Sequence, residues 1–222
     1  MHRSGTSLLT GCLEEAGLHL GNVETKFNPN NAKGQKEEIF LMELHESVLK
    51  ANGGSWQLPP YSIKWRYFHS EIRRLYIESM QGFDLWGFKD PRTLLVLEEW
   101  LKDLPHAEFV GIFRHPVKVA DSLYKRNKMS YNQAFDLWLR YNRKLWYYKK
   151  QYGFPIIEFV DEAEKMQNSI SLLVEKLALP NPKTQYGFWD SSLTHSKTRE
   201  IELPKEISVL YNSLKSVCHD SE

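Results

Sequence analysis

Three short apolar runs in this chain are each followed by a longer segment with helical periodicity. The runs cover residues 83–89, 108–113 and 154–160. The second run ends at Arg114 and the third at Asp161. Strands that alternate with helices in this way form βαβ units, in which parallel strands bring their carboxyl ends to one edge of a sheet. The pattern therefore predicts an α/β fold with a central parallel sheet flanked by helices.

Between the runs, apolar residues recur every three or four positions, which predicts amphipathic helices. The longest candidate covers residues 131–151, where Trp138, Tyr141, Leu145 and Tyr148 fall on one face. An aromatic stripe of this kind is more typical of a protein core than of a ligand site. Further helices are predicted around residues 8–13, 41–48, 65–75, 94–101 and 116–122.

The length and composition of the chain fit one domain. The 222 residues are 41% hydrophobic, and no repeat or shift in composition divides them. A chain of this size buries a sizeable core. The turn-forming sequence Leu179-Pro-Asn-Pro182 predicts a boundary. We therefore expect a single domain over 1–222, with a core over about 1–180 and a C-terminal extension over about 181–222.

Charge and hydropathy argue against several classes of partner. The formal net charge of +1 provides no overall basic field for nucleic acid or an anionic membrane. No apolar stretch approaches the roughly 20 residues that cross a bilayer. The first residues also lack the pattern of a signal peptide. We therefore expect no nucleic-acid partner, no transmembrane segment and a cytoplasmic location.

The first residues have the composition of a phosphate-binding loop. Arg3, Ser4, Gly5, Thr6 and Ser7 offer a permanent cation, hydroxyl groups and a glycine directly before an apolar helical run. The N–H groups at a helix N-terminus attract anions. A Walker-type loop would carry a lysine after the glycine, whereas here Arg3 supplies the charge ahead of Gly5. A helix capped by Ser or Thr is the alternative interpretation.

A second anion site is predicted at Arg114. This residue ends a strand and precedes His115, Pro116 and a helix, so its guanidinium is expected at the carboxyl edge of a parallel sheet. Ligands of α/β folds bind at that edge. Ser122 follows about two helical turns later and would add a hydroxyl group to the same anion. Otherwise Ser122 is an ordinary serine on a helix surface.

Together, the Arg3–Ser7 loop and the stretches Trp86–Thr93 and Phe113–Asn127 resemble the sulfotransferase family. Segments 28–37 and 190–195 are similar to its bacterial and Golgi-type branch. The resemblance implies a P-loop-like three-layer fold. It also implies transfer of a sulfuryl group from 3′-phosphoadenosine 5′-phosphosulfate (PAPS) to a hydroxyl or amine of a carbohydrate or other small acceptor, with adenosine 3′,5′-bisphosphate (PAP) as product.

The resemblance also implies which residues bind the nucleotide. The Arg3–Ser7 loop would hold the 5′-phosphosulfate, while Arg114 and Ser122 would hold the 3′-phosphate. Arg92 either contacts the sulfuryl group or pairs with Asp90 at the start of the next helix. No cluster of His, Cys or carboxylate residues has metal-ligand spacing, so we expect no metal.

Further roles implied by the resemblance are catalytic. Lys89, with Arg3, would stabilise the negative charge that grows on the bridging oxygen as the sulfuryl group leaves. Glu37 is the best positional match for the general base that deprotonates the acceptor. Asp90 and Glu38 are its rivals. Glu37 could equally be an acidic residue that favours the dipole of the following helix.

Family members carry a buried strand immediately before the phosphate-binding loop, whereas this sequence starts within the loop. The resemblance therefore implies a chain truncated before the loop, with uncertain activity. Two other functions stay open. One is a P-loop nucleotide kinase that uses ATP and magnesium, against which the absent Walker lysine argues. The other is a non-catalytic, sulfotransferase-like binding module.

Overall fold

The structure, a computed structural model, describes residues 1–23, 34, 36–189 and 201–218. The chain divides into two compact units, of which the first combines Met1–Ala16 with Glu108–Glu222 and the second covers Gly17–Ala107. The prediction of a single domain with an extension over about 181–222 stays a prediction.

The described part of the chain forms eight helices and two strands. In chain order these are α1 (Thr6–Glu15), α2 (Ile39–Ala51), α3 (Tyr67–Met80), α4 (Thr93–Trp100), β1 (Gly111–Arg114), α5 (Pro116–Asn127), α6 (Tyr131–Tyr152), β2 (Ile156–Phe159), α7 (Ala163–Lys176) and α8 (Lys205–Cys218). The predicted α/β class is therefore confirmed. Among these helices, none combines the length and the apolar character that crossing a membrane requires.

The two strands of the first unit form a parallel sheet. Gly111 lies opposite Ile156 and Arg114 lies opposite Phe159, so the carboxyl ends of β1 and β2 meet at one edge. The connection between the strands runs through α5 and α6. The strands predicted over 108–113 and 154–160 are thus confirmed with shorter bounds.

Helix α6 supplies the aromatic core of the first unit. Ser130 caps it, because its hydroxyl accepts from the N–H of Gln133 while the Gln133 side chain accepts from the N–H of Ser130. The face predicted to be core is buried throughout, with Trp138 and Tyr148 fully inaccessible to solvent. The Trp138 indole N–H donates to the backbone oxygen of Arg114 at 3.0 Å. Helix α6 therefore holds the end of β1 in place.

The second unit packs α2, α3 and α4 around Trp100. This side chain is buried and lies against Phe88 and Tyr76, with ring centroids 4.5 and 6.2 Å away. Aromatic pairs at such distances add to the stabilisation from burial. Helix α2 ends before Asn52, whose side chain fixes the following segment through two hydrogen bonds to the backbone of Lys64.

The strand predicted over 83–89 is wrong. The backbone there forms only an isolated parallel bridge, in which His19 lies opposite Trp86. His19 donates to the Leu85 oxygen and accepts from the Gly87 N–H, which completes the pairing. A strand requires a partner of several residues, whereas within the described residues this segment pairs with His19 alone. The apolar composition of 83–89 favoured a strand but could not reveal that this segment pairs at one residue.

Candidate functional site

The predicted phosphate-binding loop is a tight turn at the start of α1. Gly5 occupies the N-cap with a φ of +85°, which glycine adopts without steric cost. A Cβ atom at this position would overlap the ring of Phe159 on β2. Arg3 also has a positive φ, of +65°. The loop therefore needs glycine at residue 5 both for its backbone conformation and for its close approach to the sheet.

The hydroxyl residues of the loop differ in their surroundings. Thr6 and Ser7 begin α1 and are half-buried, whereas Ser4 is completely buried. No donor or acceptor among the described residues reaches Ser4 Oγ. Within the same part of the chain, no side chain caps α1. The helix N-terminus thus keeps its preference for an anion, because its first N–H groups have no intrahelical acceptor.

Arg3 and Ser122 connect the two predicted phosphate sites. The Nε of Arg3 donates to Oγ of Ser122 at 2.7 Å, although 119 residues separate them in sequence. Burial, together with the nearby charges of Arg126 and Arg114, lowers the pKa of Arg3 to about 10. The positive charges of Arg114 and Arg126 therefore act on Arg3 at the loop.

Arg114 extends from the end of β1 over the ring of Phe159, with 4.5 Å between the guanidinium carbon and the ring centroid. Its Nη2 donates to Oδ1 of Asp161 at 3.1 Å. Burial lowers the pKa of Arg114, and the charge of Asp161 opposes that shift. Its Nε is buried and reaches no acceptor among the described residues. This guanidinium therefore has donor capacity that Asp161 does not use.

Asp161 and Phe159 are functional candidates that sequence reasoning missed. Asp161 also accepts from Nζ of Lys118 at 2.7 Å, so one carboxylate faces two cations. The signal for Asp161 was visible, because this residue follows a strand that is parallel to the strand ending at Arg114. Phe159 carried no such signal, since a ring that supports both Gly5 and Arg114 is recognisable only from tertiary structure.

In the second unit, the structure brings Lys89 and Glu37 together. Glu37 is buried and the Lys89 side chain is 11% exposed, and Nζ of Lys89 lies 2.8 Å from Oε1 of Glu37. Burial lowers the pKa of Lys89, while the hydrogen bond and negative charge of Glu37 oppose this shift. The other oxygen of Glu37 lies 3.7 Å from Nη1 of Arg92. Two residues predicted to be catalytic thus form a direct ion pair.

Arg92 and Asp90 form the structural pair that was one of the two alternatives for Arg92. The Nη1 of Arg92 donates to Oδ1 of Asp90 at 2.8 Å, and its Nε donates to Glu46 at 2.9 Å. Burial alone would raise the pKa of Asp90, but the hydrogen bond from His45 and the charge of Arg92 outweigh it and lower the pKa. An acid held ionised by such partners is poorly suited to accept a proton from a substrate.

Glu38, the other rival base, caps a helix. Its Oε2 accepts from the backbone N–H of Leu41 at 2.9 Å, at the start of α2. Burial raises the pKa of Glu38, and its backbone hydrogen bonds oppose this shift. Glu38 is thus the acidic residue that caps α2, whereas Glu37, for which an interaction with the helix dipole was one alternative, faces Lys89.

Part of the predicted site lies outside the described residues. This holds for segment 190–195 and for most of segment 28–37, of which Gly34, Lys36 and Glu37 are described. Within the described ranges, no group of three or more His, Cys, Asp or Glu side chains could hold a metal ion.

Comparisons with models of protein families, with curated proteins and with solved structures find no match to this chain. Function must therefore be inferred from two groups of residues. The first unit contains a guanidinium cluster beside a helix N-terminus, which is suited to a multiply charged anion. The second unit contains a buried pair of an ammonium and a carboxylate, which are groups that serve in electrostatic and acid–base catalysis.

Proposed function

We propose that this chain is a PAPS-dependent sulfotransferase. It would transfer a sulfuryl group to a hydroxyl or amine of a carbohydrate or other small acceptor. The observation that carries this proposal is the 2.7 Å hydrogen bond from Arg3 to Ser122, which joins the phosphate-binding loop to the helix that follows Arg114. The same proposal takes β1 and β2 as part of a P-loop-like three-layer arrangement with a central parallel sheet.

The electrostatics of the first unit support a nucleotide with two phosphate groups. PAPS carries anionic groups at its 5′ and 3′ positions, and a planar guanidinium can donate to two oxygens of one such group. The lowered pKa values of Arg3 and Arg114 reflect burial, and that of Arg3 also reflects like charges nearby. The negative charge of a bound anion would offset the effects of burial and of like charges on these two pKa values. We assign the Arg3–Ser7 loop to the 5′-phosphosulfate and Arg114 with Ser122 to the 3′-phosphate.

Sulfuryl transfer resembles phosphoryl transfer in its in-line geometry and its loose transition state, so fixed positive charge lowers its barrier. Lys89 would stabilise the bridging oxygen as the S–O bond to PAP breaks, and Arg3 would support it. Glu37 would accept the acceptor's proton as the new S–O or S–N bond forms. The observation that supports these two roles is that Glu37 lies 2.8 Å from Lys89, which brings the proposed base and the proposed catalytic cation together.

Calorimetric titration with PAP, and with ATP as a competing nucleotide, tests the proposed function. We expect saturable binding of PAP that Arg114→Ala weakens by about 10–100-fold. The control is Arg143→Ala, which removes an exposed arginine of the same unit that pairs with Glu206. This control should retain wild-type affinity.

Other outcomes would favour the other functions. ATP binding tighter than PAP binding would support a nucleotide kinase. A folded chain that binds neither nucleotide would contradict the sulfotransferase assignment and leave a non-catalytic module.

A further inference from the structure

Asp161 is shared by two cations of the first unit. One carboxylate oxygen accepts from Arg114 at 3.1 Å, and the other accepts from Lys118 at 2.7 Å. Lys118 lies one turn beyond Arg114, in the first turns of α5. The Asp161 side chain is 26% exposed, so water reaches both ion pairs. Because Asp161 is partly exposed to water, its carboxylate can exchange one hydrogen-bond partner for another.

An anion that approaches Arg114 could accept hydrogen bonds from the guanidinium, but it would compete with Asp161 for them. The guanidinium has five N–H groups, and its Nε reaches no acceptor within the described ranges. The ring of Phe159 lies against one face of the guanidinium, 4.5 Å from its central carbon. Asp161 remains 3.1 Å from Nη2, where its negative charge repels a phosphate bound to the same group.

Lys118 lowers the free-energy cost of breaking the ion pair between Arg114 and Asp161. If Arg114 turned towards a bound phosphate, Asp161 would keep its shorter hydrogen bond to Lys118. No charge would then be left buried without a counter-ion, which is the costly outcome when one ion pair is broken. The remaining cost is the loss of the Arg114–Asp161 bond together with the repulsion between Asp161 and the anion.

We propose that Asp161 is an affinity-determining residue that competes with the bound phosphate for Arg114. This inference rests on the proposed function only in taking the 3′-phosphate of PAPS as the natural anion. Asp161 occupies Arg114 when the anion is absent and weakens anion binding when it is present. Because differences in affinity mostly reflect dissociation rates, Asp161 also speeds release of the PAP product.

Phosphate and PAP titrations of the Asp161→Asn variant test this inference. Binding of inorganic phosphate is measured by NMR titration, and binding of PAP is measured by calorimetry. We expect Asp161→Asn to tighten both by about two- to fivefold, the size of effect that a partly exposed ion pair produces. The control Asp136→Asn makes the same change in charge at an exposed residue of α6 and should have little effect.

A double variant separates competition for Arg114 from a general change in charge or fold. In an Arg114→Ala background, Asp161→Asn should no longer tighten phosphate binding. Circular dichroism checks that each variant is folded. Unchanged or weaker phosphate binding by folded Asp161→Asn would overturn the inference, as would a gain that persists without Arg114.

The titrations with inorganic phosphate also distinguish a failure of this inference from a failure of the proposed function. If Asp161→Asn tightens phosphate binding but neither protein binds PAP, the competition is supported and the sulfotransferase assignment fails. If the wild type binds PAP through Arg114 but Asp161→Asn brings no gain, the assignment stands and the competition is refuted. Absence of phosphate binding in both proteins would also refute the competition.

Discussion

Trp100 donates its indole N–H to Nε2 of His45 at 2.8 Å, and this bond determines how His45 meets Asp90. An indole nitrogen can only donate, so Nε2 of His45 must accept and the ring proton lies on Nδ1. Nδ1 is 2.8 Å from Oδ2 of Asp90, to which it therefore donates. Arg92 satisfies the other oxygen of Asp90. The carboxylate of Asp90 is thus a buried structural group with two partners.

Replacing Asp90 should destabilise the second unit strongly. Asp90→Asn leaves Arg92 and His45 without their buried anion, and such changes cost about 3–5 kcal/mol. Urea unfolding measures this difference in the free energy of unfolding. The control Asp84→Asn, at an exposed residue of the same unit, should change stability by less than about 0.5 kcal/mol.

The stabilisation by Asp90 should depend on pH in a defined direction. The pKa of Asp90 is lower in the folded chain than the usual value. The folded state therefore binds fewer protons near the unfolded pKa of about 4, and the contribution of Asp90 is complete above that pH and declines below it. Unfolding curves between pH 7 and pH 3 should converge for wild type and Asp90→Asn as the pH falls. A difference in the free energy of unfolding that stays constant across this pH range would contradict a lowered pKa of Asp90.

Gly5 should tolerate a side chain less well than another glycine with positive φ. Gly5→Ala introduces both backbone strain and overlap with Phe159, so we expect a loss of roughly 2–5 kcal/mol in the free energy of unfolding. Gly153 ends α6 with a φ of +69° and has open space around it. Gly153→Ala should therefore cost only about 1–2 kcal/mol, from strain alone. Equal losses in thermal unfolding would argue against close packing of the loop on β2.

Lys89 and Glu37 should affect the chemical step. Under the proposed function, Lys89→Ala removes a cation from the breaking bond and should lower kcat by about 10²–10³-fold. Glu37→Gln removes the base and should lower kcat by about 10²–10⁴-fold. Transfer of labelled sulfate from PAPS to a carbohydrate acceptor measures both effects. Lys102→Ala, which removes an exposed lysine paired with Glu99, is the control and should keep wild-type activity.

Local patterns predicted the elements that depend on local interactions. Helix α6 was recognisable from its aromatic face, and Arg114 from the strand and the Pro116 helix start on either side of it. Periodicity reports which side of an element is apolar, and turn residues report where it ends. These signals were sufficient to locate β1, β2 and the loop at the start of α1.

Contacts between distant residues were not predictable in the same way. The segment 83–89 has the composition of a strand, but its described partner is His19 alone. The hydrogen bonds of His45, and the bond from Asp161 to its second partner Lys118, likewise join segments that lie 43 to 55 residues apart. Composition and spacing report what a residue prefers, whereas these pairings depend on where the rest of the chain places its partner.

The 3′-phosphate preference of the nucleotide site tests the proposed function most directly. Calorimetry would compare PAP with adenosine 5′-monophosphate, which lacks only the 3′-phosphate. In the wild type we expect PAP to bind about 10–100-fold more tightly, because its 3′-phosphate gains charge-assisted hydrogen bonds from Arg114. In Arg114→Ala that ratio should fall to near one. Equal affinities in the wild type, or a ratio that Arg114→Ala leaves unchanged, would contradict the assignment of Arg114 to the 3′-phosphate.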